Sequence, residues 1–236
     1  MGKALIIKGA DFSVNGISPE FIRLSWIGMS TSNGSYQATP QGQFISSGIF
    51  TTLDMRLVVV AEFVDENFAA ILPGCDYNTI STARARANAT YTSAVFGRTS
   101  SDVASVDAGG KKLWDGGTHT IDLSRVGLSV DGTLFEFSNA PTSMSEGIIY
   151  LDSASKSSSG HYNTAARLTI DGADTPLTGA VKIKNVRIYS DYTDNSSLVM
   201  DAIPVKRLSD NVVCFYNKVA GTYHVRNNGS TPEYGY

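Results

Sequence analysis

The chain has 236 residues, 22 of them glycine, with 10% aromatic and only 17% charged side chains. That length can bury one sizeable core and that composition is too poor in charge for long solvated helices, so a single all-β domain of short strands and tight turns is expected. A formal net charge of −3 supplies no field to draw nucleic acid or an anionic bilayer, and no stretch approaches the roughly 20 apolar residues needed to span a membrane, so neither nucleic-acid binding nor membrane insertion is expected.

Residues 1–35 read as an N-terminal arm or edge strands. Ala4, Leu5, Ile6 and Ile7 form a short apolar strand. Lys8 interrupts it before a cleavable signal core is reached, which suits a protein released by lysis. Phe21 to Ile27 alternates apolar and polar positions. Two readings stand for this segment: an extra edge strand of a sandwich, or an attachment arm tied down by pairing elsewhere. Residues 30–43 form a polar loop, and residues 36–226 are expected to hold the sandwich.

Residues 57–63, Leu-Val-Val-Val-Ala-Glu-Phe, make a β-branched run suited to a strand buried on both faces, with residues 68–74 expected as its hairpin partner across Asp65, Glu66 and Asn67. Residues 81–90 alternate small and polar side chains and read as an exposed strand or extended loop. Cys75 and Cys214 each lie in an apolar strand pattern and are expected to be separate buried thiols rather than a disulfide.

Residues 103–106, 118–123, 127–130 and 134–137 predict a ladder of short strands, with Asp131-Gly132 the sharpest hairpin signal in the chain. Residues 148–151 are another core strand. A serine-rich loop over 152–174 carries Lys156, His161, Tyr162 and Asn163, with residues 166–170 as a strand. Residues 181–225 are the most legible stretch, four strands each closed by its own turn. In the first, Val181, Ile183 and Ile188 alternate with Lys182, Lys184 and Arg187, and either Asn185 or, after a shift, Val186 faces inward. Residues 227–236 are a tail. The count suits two antiparallel sheets of about five to seven strands each.

The closing stretch carries a resemblance. Ile188, Tyr189, Leu198, Val199, Asp201, Ile203, Pro204, Arg207, Asp210, Val212, Tyr216, Val219, Gly221 and Tyr223 stand in the order seen at the end of concanavalin A-like (laminin-G-like) jelly-roll domains. The domains in question are those of tailed-phage and prophage structural proteins of gut bacteria. Gln43-Phe44-Ile45-Ser46-Ser47-Gly48-Ile49 resembles the family's opening strand, and His119-Thr120-Ile121 a later one; Lys8 to Ser13 resembles the N-termini of such phage proteins. The likeness covers residues 40–225, departs at Ser46, where the family often has Asp, and matches nothing over 76–112.

What the resemblance implies is a jelly-roll β-sandwich serving as a virion structural protein, in the tail, a fibre or a decoration. Other virion proteins are the expected partners, host surface glycan is a possible ligand, and the virion is the expected location. The alternatives are a glycan-binding, lectin-like module at the surface of, or secreted by, a gut bacterium, and a glycoside hydrolase. By analogy with fibres a homo-oligomer is expected, a trimer favoured, with Ala4, Leu5, Ile6 and Ile7 in the contact. The competing reading is a monomer whose first strand pairs with its own sheet near Tyr223.

Hydrolases of this fold resemble one another in a Glu-x-Asp-x-x-Glu strand, which sets carboxyls on one face about 5 Å apart. The chain lacks that motif. Glu62, Asp65 and Glu66 have the wrong spacing and Glu136 stands alone, so no enzyme is expected. His119, His161 and His224 are too scattered for a metal site and read as surface or strand histidines. The resemblance admits Ca²⁺ at Asp76, Asn78 and Asp152 as weak candidates; otherwise no cofactor is expected. For a sugar, aromatic rings stack on its apolar face while polar side chains bond its hydroxyls, and Tyr77, Asn78, Tyr91, Trp114, His161, Tyr162 and Asn163 supply such groups. Their competing reading is that of loop aromatics anchoring long connections. Trp26 reads as core.

Overall fold

The computed structural model describes residues 6–8, 20–23, 26–29, 43–63, 70–77, 80–87, 92–97, 104–107, 113–144, 146–151, 154–156, 162–164, 179–225, 227–228 and 234–235. The chain opens with β1 (Ile6–Lys8), β2 (Glu20–Arg23), β3 (Trp26–Met29), β4 (Gln43–Phe44) and β5 (Ser46–Phe50), then enters the long β6 (Arg56–Phe63). It continues through β7 (Ala70–Ile71), β8 (Cys75–Tyr77), β9 (Ile80–Ala87), β10 (Thr92–Phe96) and β11 (Ala104–Asp107). A meander follows, β12 (Thr118–Ser124), β13 (Gly127–Val130) and β14 (Thr133–Glu136), then β15 (Ile148–Tyr150), β16 (Ala154–Lys156) and β17 (Tyr162–Thr164). The closing run is β18 (Gly179–Tyr189), β19 (Leu198–Arg207), β20 (Val213–Asn217) and β21 (Thr222–Val225), with the short β22 (Asn227–Asn228) and β23 (Tyr234–Gly235) after it.

These strands make a β-sandwich, with no helix among the described residues. The larger sheet has 12 strands, nine in the order β14-β13-β12-β6-β18-β19-β20-β21-β23 with β1, β2 and β3 branching from it, and the smaller has 7, six in the order β11-β10-β9-β8-β16-β17 with β7 on β9. The larger sheet exceeds the expected five to seven strands even before β1, β2 and β3 join it. The smaller contains a parallel pair, β8 with β16, where only antiparallel pairing was expected.

The core is built by period-two alternation. Leu57, Val59, Ala61 and Phe63 of β6 face inward with Ile121, Leu123, Leu128 and Val130 of the meander and Ile183, Val186 and Ile188 of β18. Opposite them stand Ala83, Ala85, Ala94 and Phe96 of the smaller sheet. The stretch 81–87 is therefore not simply an exposed strand: Ala83 and Ala85 are buried, small because two sheets approach there, and only the polar alternation was legible. The hairpin expected after β6 is also corrected. Both edges of β6 are occupied, by β12 and by β18, so the chain crosses to the smaller sheet and β7 pairs with β9. On the other face of β6 only Val58 is buried, while Arg56, Val60 and Glu62 are partly exposed, so the strand expected to be buried on both faces is covered on one.

In β18 a register shift between Ile183 and Asn185 decides the open question: Val186 goes into the core and Asn185 faces the other way. β18 and β19 pair only over Val186–Tyr189 and Leu198–Ala202, then diverge. β3 pairs with the free half of β18 and β2 with the free half of β19. Along the outward positions of β19, polar Asp201 gives way to Ile203 and Val205, which join Phe21, Cys214, Tyr216 and Tyr223 in a second buried cluster. Cys214 is a buried free thiol, its pKa pushed up to about 12, chiefly by burial; the side chains of Cys75 and Trp26 lie outside the described residues. Within the chain, Ile6 and Ile7 pair with Ile22 and Phe21 of β2, not with the final hairpin at Tyr223, and Ala4 and Leu5 lie outside the described residues. So does the strand expected over 166–170. In the tail, β22 pairs with β4 and β23 with β21.

Candidate functional site

Among the described residues, a well-formed polar feature lies on the face of the larger sheet turned away from the core. Strand register sets Asp122 opposite Val58, Val58 opposite Arg187, and Arg187 opposite Asp201. Arg187 and Asp201 thus stand directly opposite each other, a favourable cross-strand charge pair, with Asp122 beyond Val58 on the far side of Arg187. Beside this row is an open cleft of about 410 Å³ lined by Lys184, Asn185, Arg187, Tyr189, Asp201 and Lys218, with Val60 and Leu198 completing its walls.

The lining is held by a connected network. Buried Asn185 donates through Nδ2 to Asp201 Oδ1 at 2.6 Å and to the Ala202 carbonyl at 3.0 Å. Its Oδ1 accepts from Arg187 Nε at 2.7 Å. Asp201 is ion-paired with the Lys218 ammonium, and the Asp201 amide donates to Asn217 Oδ1 at 3.2 Å. Such networks fix rotamers and leave few buried polar atoms unpaired. Arg187 spends only Nε in this way: among the described residues, no acceptor takes a hydrogen bond from its two terminal nitrogens. Lys184 donates to Thr118 Oγ1 at 2.6 Å and lies 3.1 Å from Glu62 Oε2, while Lys182 bonds Glu62 Oε1 at 3.0 Å. Burial works to raise the pKa of Glu62, but the bonds from Lys182 and Lys184 outweigh it and hold the carboxyl below its ordinary value. Asp122 moves the other way: its burial raises it against the attraction of Arg56 and Arg187.

Tyr189 also forms part of a second, apolar crevice of about 200 Å³ with Ile49, Phe50, Met55, Ile188 and Val199. Arg56 lies over the Tyr189 ring, 4.1 Å from its centroid, and bonds Asn195 at 2.8 Å, which fixes the ring between the two depressions.

The residues singled out from sequence fall elsewhere. Trp114 is half-buried, packed on the core with its ring 5.3 Å from that of Phe63. Trp114→Ala is expected to cost about 2–3 kcal/mol of folding stability, below the range for a fully buried tryptophan, measured by denaturant unfolding; a loss under 0.5 kcal/mol would show the ring to be a surface group. In the smaller sheet, Tyr77 and Tyr162 stand at one register level on either side of Lys156, and Asp76 and Asn163 at the next level on either side of Ser155. The topology thus gathers four of the candidates at the β17 edge. Asn78, Tyr91, Asp152 and His161 lie outside the described residues. Among the described residues no group of His, Cys, Asp and Glu is assembled as a metal site.

His119, expected as an ordinary strand or surface histidine, is buried between two carboxylates. Nδ1 is 2.8 Å from Asp131 Oδ2 and Nε2 is 3.1 Å from Asp115 Oδ1, with the Phe63 ring 6.0 Å away. One partner comes from the Asp-Gly hairpin and the other from the Gly116-Gly117 turn. Sequence reasoning missed both this triad and the cleft. Arg187 and Asp201 look like ordinary wet-face residues until the register of β18 on β19 sets them side by side. The one available signal was the surplus of charge on the outward positions of β18.

Compared with known proteins, the chain matches no family model, and no curated protein matches it in sequence.

Proposed function

We propose that the chain is a virion structural protein of a tailed phage, a tail, fibre or decoration component, whose jelly-roll sandwich binds a saccharide of the host surface without catalysis. The observation that carries the binding reading is the cleft on the outer face of the larger sheet. Its volume of about 410 Å³ falls in the range of small-ligand sites, roughly 300–1,000 Å³, and its donors and acceptors are pre-set by the Asn185–Asp201–Arg187 network. Sugar hydroxyls are recognised by such fixed polar groups, and Tyr189 supplies an aromatic edge. The virion assignment is supported by the closing motif from Ile188 to Tyr223. Against hydrolysis stands the chemistry of the lining, in which the one carboxylate is Asp201, already paired with Lys218; a retaining glycosidase needs two carboxyls about 5 Å apart.

The test is binding of the purified protein to a glycan array and to gut bacterial cells, alongside Asp201→Asn. The wild type is expected to bind at least one surface glycan, with about tenfold weaker affinity in the variant, equivalent to about 1.4 kcal/mol. A folded protein that binds no glycan and no cell removes the binding reading. Absence of the polypeptide from purified particles of an induced prophage carrying its gene removes the virion assignment.

A further inference from the structure

Resting on the saccharide-binding reading, we infer that the ligand of the cleft is an anionic saccharide, carrying a carboxylate or a sulfate or phosphate ester, and that Arg187 clamps its oxyanion. The charge balance points that way: Lys184, Arg187 and Lys218 line the cleft against a single carboxylate, Asp201. In a protein whose net charge is −3, the cleft has an excess of positive over negative lining groups, and such a local excess concentrates ligands of the opposite sign.

The geometry singles out Arg187 among the three cations. Lys218 is committed to Asp201 and Lys184 to Glu62 and Thr118. Arg187 is tethered through Nε alone to Asn185 Oδ1 at 2.7 Å, and Asn185 is itself fixed by Asp201 and the Ala202 carbonyl. The guanidinium plane is therefore oriented while its two terminal nitrogens stay available, the arrangement that takes an oxyanion in a two-pronged bond. Asp122, across Val58 from Arg187, has Arg56 as its ion-pair partner, at 3.7 Å, and attracts Arg187 without taking a hydrogen bond from it.

The experiment is calorimetric titration of the full chain with an oligogalacturonide, the same oligosaccharide after carboxyl reduction, a sulfated oligosaccharide and a neutral one. Wild type, Arg187→Gln and Arg187→Lys are compared, each first shown to unfold at a temperature close to the wild type's. The wild type is expected to bind at least one anionic probe at least tenfold more tightly than the reduced and neutral ones. Binding confined to the oligogalacturonide assigns the carboxylate; binding confined to the sulfated probe assigns the ester. Arg187→Gln should lose tenfold or more, Arg187→Lys should recover only part of it because an ammonium lacks the fork, and wild-type affinity should fall as salt rises. Equal binding of neutral and anionic probes, an unaffected Arg187→Gln, or affinity indifferent to salt overturns the inference while leaving saccharide binding in place. Failure of every saccharide on the array overturns the binding reading itself, and this inference with it.

Discussion

Gly127→Ala should destabilise the protein by roughly 3 kcal/mol or more, beyond the usual range for a point substitution. Gly127 begins β13, opposite Ser124 of β12 on one side and Glu136 of β14 on the other. Its φ is +155°, and a Cβ there would lie 2.2 Å from the Phe135 carbonyl oxygen and 2.9 Å from the Glu136 Cα. Both are backbone atoms, so no side chain can swing aside; β14 must separate from β13. Gly132 makes the contrast. Its φ is +81° and nothing lies within 4 Å of a built Cβ, so Gly132→Ala carries only the left-handed penalty of roughly 1–2 kcal/mol. Denaturant unfolding of both variants measures the gap, and amide exchange over Thr133–Glu136 should quicken in Gly127→Ala alone. Equal losses would mean that the β13–β14 pairing gives way without cost.

His119→Leu should cost about 2 kcal/mol at pH 6, the order of a charge-assisted hydrogen-bond loss, and should remove a pH dependence that the wild type shows. Burial opposes the charged imidazole, but the bonds to Asp131 and Asp115 outweigh it, and the His119 pKa is raised from its ordinary 6.5. A raised folded-state pKa gives stability that is complete below 6.5 and lost as pH climbs through the folded value. Asp115 works in the opposite range: the Gly117 amide and then His119 hold it below 3.8, so its contribution is present above that value and fades as acid protonates it. His224 sets a further slope. It is buried with Nδ1 3.0 Å from the Ser46 carbonyl, and burial lowers its pKa below 6.5 despite that bond. Stability from His224 therefore falls as pH drops below 6.5. Thermal unfolding from pH 5 to pH 8, below the range where the buried Cys214 thiol begins to contribute, should show a maximum near 6.5, with the alkaline limb missing in His119→Leu. An unchanged alkaline limb in the variant would remove His119 as its source.

Much of the fold was legible because local chemistry states it. Asp131-Gly132 turns where it should, with φ of 49° and 81°, and the alternation of β18 left only one ambiguity, which the shift after Ile183 resolves. What stayed hidden depended on partners distant in sequence. Ala83 and Ala85 look like surface residues until a second sheet approaches, and nothing in residues 57–63 says that both edges of the strand are already taken. The candidate site followed the same divide. Trp114 and the tyrosines stood out by residue type, whereas Arg187, Asn185 and Asp201 matter through register alone. His119 became a buried ion-pair centre because two turns, each readable by itself, close on it from opposite ends.

The central position of β6 also governs how the chain can be made. Glu62 meets Lys182 across a sequence separation of 120, and β12, the strand on its other edge, arrives only at Thr118. During synthesis the run from Leu57 to Phe63 leaves the ribosome long before either neighbour exists. Contacts of such separation are slow to form and leave apolar edges open in the meantime. Nascent chains halted before β18 would thus present one unpaired, β-branched edge of β6 to one another, while its other edge is already taken by the β12–β13–β14 meander. The C-terminal quarter, β18 to β21, is the clasp that closes that open edge.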